Sequence, residues 1–251
     1  INGSGTAVGH YFVCLSPGLF TWRGFRLIDD TPEDLNDTAD LGSEASAIND
    51  LGHAVGYFQE IDDVFQTENA VKRAALFTGS TPQKIYSANV ESVATDINNS
   101  GWIVGWWREL SMGDFAERPV HAFLRSNGGN QTLFEGIANA INNNGQVVGS
   151  KDTSSGQRAV RWQNGQLEIL DDLLPVDSGW ELQSADAIND KGEIVGYGLH
   201  NGEFRVFVLT PLFLGIDISE SAGTPSASTW QAIKELGKEF VIVKGWGGTR
   251  N

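Results

Sequence analysis

The nonapeptide Ile-Asn-x-x-Gly-x-x-Val-Gly occurs five times, beginning at Ile1, Ile48, Ile97, Ile141 and Ile188, so the chain is a tandem array before it is anything else. Successive copies start 47, 49, 44 and 47 residues apart, a period that suits one four-stranded propeller blade per copy. Inside each copy the Asn and Gly take a turn and the flanking apolar residues form two antiparallel strands. The fourth copy reads most plainly, with Ala138 to Ile141 entering, Asn142-Asn143-Asn144-Gly145 turning, and Gln146 to Gly149 leaving. A third and a fourth strand are predicted after each turn: Leu19 to Trp22 with Arg26 to Ile28, Ala74 to Phe77 with Lys84 to Tyr86, His121 to Arg125 with Gln131 to Phe134, and Arg158 to Trp162 with Gln166 to Leu170. The fifth copy has Phe204 to Leu209 as its third strand.

The fold expected is therefore mainly β, a β-propeller of about five four-stranded repeats over residues 1–212, followed from residue 213 by different grammar. Phe213 to Ser219 is a buried-strand run, Thr229 to Gly237 has helical spacing through Trp230, Ile233 and Leu236, and Phe240 to Val243 is a second apolar run. Strand, helix, strand with both faces apolar is the beginning of a (β/α) barrel, and residues 213–251 are assigned to it. The first copy lacks the strand that should precede its turn, so the chain reads as a piece of a longer protein.

Charge narrows the partners. Seventeen Lys and Arg against 32 acidic residues give a formal charge of −15, and the cations form no run, which argues against binding a phosphate backbone. No stretch approaches 18 apolar residues, so no membrane span is expected, and no signal-like leader precedes residue 1. The single cysteine, Cys14, excludes an intrachain disulfide. No Cys or His cluster has ligand spacing, and the acidic turn Asp186 to Gly192 carries Ile188 where a calcium loop needs an oxygen, so neither metal nor cofactor is expected.

Aromatic residues follow Val-Gly in several copies: Tyr57, the pair Trp106 and Trp107, and Tyr197. Flat apolar rings with acids and amides nearby suit the C–H face of a pyranose, so these four are the candidate ligand-binding residues. Successive strand residues face opposite ways, so Trp106 and Trp107 cannot share a face.

The repeats, with His121-Ala122-Phe123 in the third strand of one copy, resemble the extracellular repeats of the HAF family, which implies propeller blades and a cell-exterior location. Only that copy spells the triplet; Ala74-Ala75-Leu76, Ala159-Val160-Arg161 and Val206-Phe207-Val208 replace it elsewhere. The tail, through Gly215-Ile216-Asp217-Ile218-Ser219, Trp230, Gly237 and Phe240-Val241-Ile242-Val243-Lys244, resembles the start of the glycoside hydrolase family 25 lysozymes. That resemblance makes Asp217 the candidate catalytic acid at the end of the first barrel strand. Gly245-Trp246-Gly247-Gly248 stands where the family continues with Ala-Thr-Glu-Gly, and the acidic pair of the fourth barrel strand would lie past Asn251, so this chain alone is expected to be inactive. Two functions follow from these resemblances. One is a secreted or cell-surface glycan-directed protein whose propeller serves a lysozyme-like glycosidase; the other is a non-catalytic adhesion module that binds protein partners.

Overall fold

The computed structural model describes residues 1–16, 19–36, 42–61, 70–86, 89–110, 118–127, 129–211 and 240–246, in two compact units, Ile1–Val147 and Val148–Asn251. Both are built from antiparallel strands, and the described residues contain no α-helix. Every sheet is open at both edges.

The first unit holds three sheets and one further strand. Strands β1 (Ala7–Ser16), β2 (Leu19–Ile28) and β3 (Thr31–Asp34) pair in that order. Strands β4 (Ser43–Ile48), β5 (Ala54–Glu60), β6 (Val71–Phe77) and β7 (Gln83–Lys84) make the second sheet. Strands β8 (Val90–Ile97), β9 (Ile103–Glu109), β10 (His121–Ser126) and β11 (Gly129–Glu135) make the third, and β12 (Ile137–Ile141) leads into the fourth turn. The second unit contains β13 (Val147–Thr153), β14 (Gly156–Gln163) and β15 (Gln166–Ile169). After a short 3-10 turn at Leu170–Leu173 it continues as a sheet of β16 (Trp180–Ile188), β17 (Ile194–His200), β18 (Glu203–Pro211) and β19 (Phe240–Trp246).

The first copy departs from the expected strand division. Leu19 to Ile28 is one continuous strand, because the chain reverses only at Asp29 and Asp30, which take φ of 48° and 60°. Aspartate tolerates that left-handed region, so a turn forms there without glycine. In the tail, the strand and helix expected over 213–239 lie outside the described residues. Phe240–Trp246 is a strand, but it lies antiparallel to β18 at the edge of the β16–β18 sheet, whereas the second strand of a (β/α) barrel runs parallel to the first.

The repeated nonapeptide has two physical causes. The first is the turn. In all five copies the Asn side-chain oxygen accepts the backbone N–H groups two and four residues on, as Asn49 does from Leu51 at 3.1 Å and His53 at 3.0 Å. The turn glycine, at φ between 76° and 84°, closes it with an N–H to the Asn carbonyl.

The second cause is a close backbone approach under Val-Gly. A Cβ on Gly56, Gly105 or Gly196 would land on the carbonyl oxygen of Glu44, Val93 or Ser184 of the neighbouring strand. Each of these glycines pairs with an alanine beside a β-bulge, between Ala45 and Ala47, Ala94 and Asp96, or Ala185 and Ala187. The extra bulge residue kinks the strand toward its partner, and only hydrogen fits in the gap.

Within the first unit consecutive copies are stitched through their turns. The amide Nδ2 of Asn2 donates to the carbonyl of Asn49 at 3.0 Å, that of Asn49 to Asn98 at 3.1 Å, and that of Asn98 to Asn142 at 3.0 Å. A second row lies one residue on: Gly3 N–H to Asp50 at 2.7 Å, Asp50 N–H to Asn99 at 3.0 Å, and Asn99 N–H to Asn143 at 2.8 Å. The first row is buried at Asn49, Asn98 and Asn142, where a lost partner is costly, and partly buried at Asn2; the second is exposed.

Apolar clusters fill the spaces between neighbouring copies of this unit. Leu35, Ala45, Ala54, Ala75 and Phe77 form one, with Val8, Ile48 and Phe58 against it. Val55, Ala74, Ile85, Ala94, Ile97, Ile103 and Phe123 form the next. A fully buried Phe such as Phe77 or Phe123 contributes about 1.5–3 kcal/mol, so each junction supplies several kcal/mol from a few side chains.

Candidate functional site

The first hairpin is longer than its counterpart in the second sheet. Strands β1 and β2 have ten residues each, against seven in β5 and β6. Alternation places His10, Phe12 and Cys14 on one face of β1, and the register sets Phe12 opposite Trp22 and Cys14 opposite Phe20. Phe12 and Phe20 stack with centroids 5.1 Å apart and planes 9° from parallel. Phe12 also meets Trp22 at 4.8 Å, and His10 stands edge-on to Trp22 at 4.9 Å. Three of these rings stay open to solvent, Phe12 at 55%, Phe20 at 51% and Trp22 at 47% exposure. These contiguous, half-exposed aromatics make the strip the candidate contact surface of the first unit.

One end of this apolar strip is polar. Opposite His10 on β2 lies Gly24, and its missing side chain lets β4 approach, so that a Cβ there would sit 3.4 Å from the Glu44 Cα. The His10 Nδ1 is 3.8 Å from the Glu44 carboxylate. Tyr57, Cα partner of Glu44, donates its phenol to the same carboxylate, and the Lys72 ammonium lies 4.4 Å over the Tyr57 ring. Burial first, then the Glu44 charge and that hydrogen bond, push the Tyr57 hydroxyl up to about 12, so at neutral pH it stays a donor. The result is an aromatic strip ending in an oriented carboxylate, all within the first unit.

The reverse face of the hairpin is occupied. Tyr11 donates to Asp34 at 2.6 Å, a bond that raises its pKa, and Arg23 pairs with Asp34 at 3.6 Å.

Of the residues expected to bind ligand, Tyr57 belongs to this site as the group that orients Glu44, with its own ring almost wholly buried. Trp107 is half-buried against the second apolar cluster and stacks on His121 at 4.7 Å. Its indole N–H is buried without an acceptor among the described residues. Trp106, on the other face of β9, is half-buried opposite Val93 and Ala122. Tyr197, in the second unit, is half-buried and leans on exposed Phe204 at 5.5 Å. Asp217 lies outside the described residues.

Register supplies what the sequence alone did not. The alternation His10-x-Phe12-x-Cys14 and Phe20-x-Trp22 was visible, yet only strand pairing shows that the two rows share a face. The first residue of the His-Ala-Phe triplet also has equivalents. Opposite the second residue after Val-Gly stand Arg23, Arg73, His121 and Arg205 in four of the copies. Three are ion-paired, with Asp34, Glu60 and Glu203, and His121 stacks instead. Among the described residues no group of three His, Cys, Asp or Glu is placed to hold a metal ion, and no helix is long and apolar enough to cross a membrane.

Residues 25–207 match a family described as a protein of unknown function, DUF3466. The chain belongs to the DUF3466 family. The match runs from the middle of β2 into β18, so what defines this DUF3466 chain is the repeated sheet and its turns. No curated protein matches it.

Proposed function

We propose that this DUF3466 chain is the glycan-binding and scaffolding module of a secreted or cell-surface protein. In this reading its repeats are propeller blades of the HAF type, and residues 213–251 begin a lysozyme-like barrel with Asp217 as its first acid. The antiparallel sheets, each built largely from one copy, and the apolar clusters between neighbouring copies of the first unit support the blade reading. The observation that carries the functional reading is the exposed Phe12, Phe20 and Trp22 strip ending at Glu44. Aromatic faces take the apolar side of a sugar, and a neighbouring carboxylate takes its hydroxyls.

The test is an array of bacterial and plant cell-wall glycans probed with the full chain and with Trp22→Ala, Trp106→Ala and Trp107→Ala. Binding that at least one folded variant loses supports a glycan-directed module; a folded chain that binds no glycan overturns it. The parallel Phe12 and Phe20 stack, with no polar atom of its own, favours a second reading, a protein-binding adhesion module, since aromatic anchors dominate protein interfaces. A negative array moves the assignment there.

A further inference from the structure

We infer that the edge of β1 facing away from β2 is an acceptor site for a further β-strand, of the same kind as the strands that enter the turns of the other copies. The inference goes beyond the glycan reading and does not depend on it. In the second, third and fifth copies the strand after the turn carries an antiparallel partner on this edge: β4 on β5, β8 on β9 and β16 on β17. Among the described residues β1 has no partner there, and its sheet has three strands where theirs have four.

Gly9 shows that the edge is cut for such a strand. Its counterparts Gly56, Gly105 and Gly196 each lie under a carbonyl of the entering strand, which leaves no room for a Cβ. At Gly9 a Cβ would meet only Phe25 ring atoms, at 3.2 Å or more, among the described residues. The first copy therefore has the clearance for a close backbone approach with no described backbone using it.

The edge is also unprotected. β1 has no Lys, Arg, Asp, Glu or Pro in its ten residues. At the opposite edge of the same sheet, β3 is four residues long and carries Pro32, Glu33 and Asp34. Shortness, proline and charge keep an exposed edge from pairing, so β3 turns a further strand away and β1 admits one.

The entering strands specify the occupant. The sequences from Ala45, Ala138 and Ala185 read Ala-x-Ala-Ile-Asn, and that from Ala94 reads Ala-x-Asp-Ile-Asn. Ala45, Ala94 and Ala185 pair with the Val-Gly glycine, precede a bulge, and are 4%, 0% and 0% exposed, so a larger side chain has no space at that point. The occupant is the entering strand of another repeat of this kind, its alanine opposite Gly9 and its main chain hydrogen-bonded to β1.

The full chain would be titrated with a fluorescent peptide Val-Glu-Ser-Val-Ala-Thr-Asp, the sequence of residues 90–96, and compared with a chain carrying those residues directly before Ile1. Expected are saturable peptide binding, slower amide exchange over 8–12, and a melting temperature about 3 °C or more higher in the extended chain. Gly9→Ala should weaken peptide binding at least about tenfold and cancel the gain of the extended chain, because its methyl takes the place of the incoming carbonyl. Leucine in place of the peptide's own alanine should weaken binding equally without touching the fold of the chain. Stabilisation of the extended chain without measurable peptide binding still supports the site, since tethering raises the effective concentration of the strand. A gain that survives Gly9→Ala in a folded chain, or equal binding of the leucine peptide, overturns the site. So does an extended chain whose exchange and melting temperature match the original.

Discussion

The side-chain amide of Asn49 donates to the backbone carbonyl of Asn98, 49 residues away, at 3.1 Å. The same side chain accepts two N–H groups of its own turn, so one buried amide both shapes a hairpin and fastens it to the next. Replacing it by alanine takes the acceptor from two turn N–H groups and one of two donors from the Asn98 carbonyl, which keeps the Gly101 N–H. Asn49→Ala should lower stability by about 2–4 kcal/mol, read as a shift in the denaturant midpoint. Asn99→Ala, which removes contacts in the exposed row, should cost under about 1 kcal/mol. Equal effects would show that the buried row has no special role.

The Val-Gly glycines are not interchangeable with one another. At Gly105 an added methyl meets the Val93 carbonyl and the Phe123 ring, whereas at Gly9 it meets only Phe25 ring atoms, at 3.2 Å or more. Gly105→Ala is expected to cost more than about 3 kcal/mol or to block folding, and Gly9→Ala less than about 1 kcal/mol. Soluble yield and melting temperature compare the two directly.

Asp96 gives the first unit a pH dependence. Its carboxylate accepts the N–H groups of Ile97 at 2.8 Å and Ile141 at 2.9 Å, but desolvation outweighs both and raises its pKa above 3.8. For an acid raised in the folded state, the unfolded chain ionises first as pH climbs, so this residue's contribution to stability falls from about pH 3.8 upward through the folded pKa. Asp96→Asn should therefore gain on the wild type between about pH 4 and about pH 7, measured as the difference in denaturation midpoints. A difference that stays flat or shrinks refutes this assignment.

Among the described residues Arg73 is the most buried cation, 2% exposed, with Glu60 at 3.2 Å and the Val90 carbonyl as acceptors. Truncation to alanine leaves a cavity and an unserved carbonyl, so Arg73→Ala should cost about 3 kcal/mol, and Arg73→Met less because it keeps the volume. Thermal unfolding of the two variants tests that order.

Turn chemistry and period were legible in the sequence because they are local: Asn and Gly specify the hairpin by themselves, and five copies fix the spacing. The need for glycine after valine was visible only as a pattern, since its cause is a carbonyl on another strand, brought close by a bulge. The strand break expected in the first copy near Gly24 failed for a related reason. That glycine admits β4 against the sheet and leaves the turning to Asp29 and Asp30. Trp106 and Trp107 stood out by residue type, yet both are half-buried, Trp107 against the second cluster, which removes much of their surface. The open rings are Phe12, Phe20 and Trp22, whose shared face depends on a register that no single strand encodes.

The seam from Asn49 to Asn98 closes a step of 49 residues and the seam from Asn98 to Asn142 a step of 44, yet the two bonds measure 3.1 and 3.0 Å. Differences in length are thus absorbed away from the turns, and the second and third copies each bring one amide for the copy after and one carbonyl for the copy before. A duplicated or deleted copy would inherit working joints on both sides, which makes copy number the cheapest dimension in which proteins of this design can diverge.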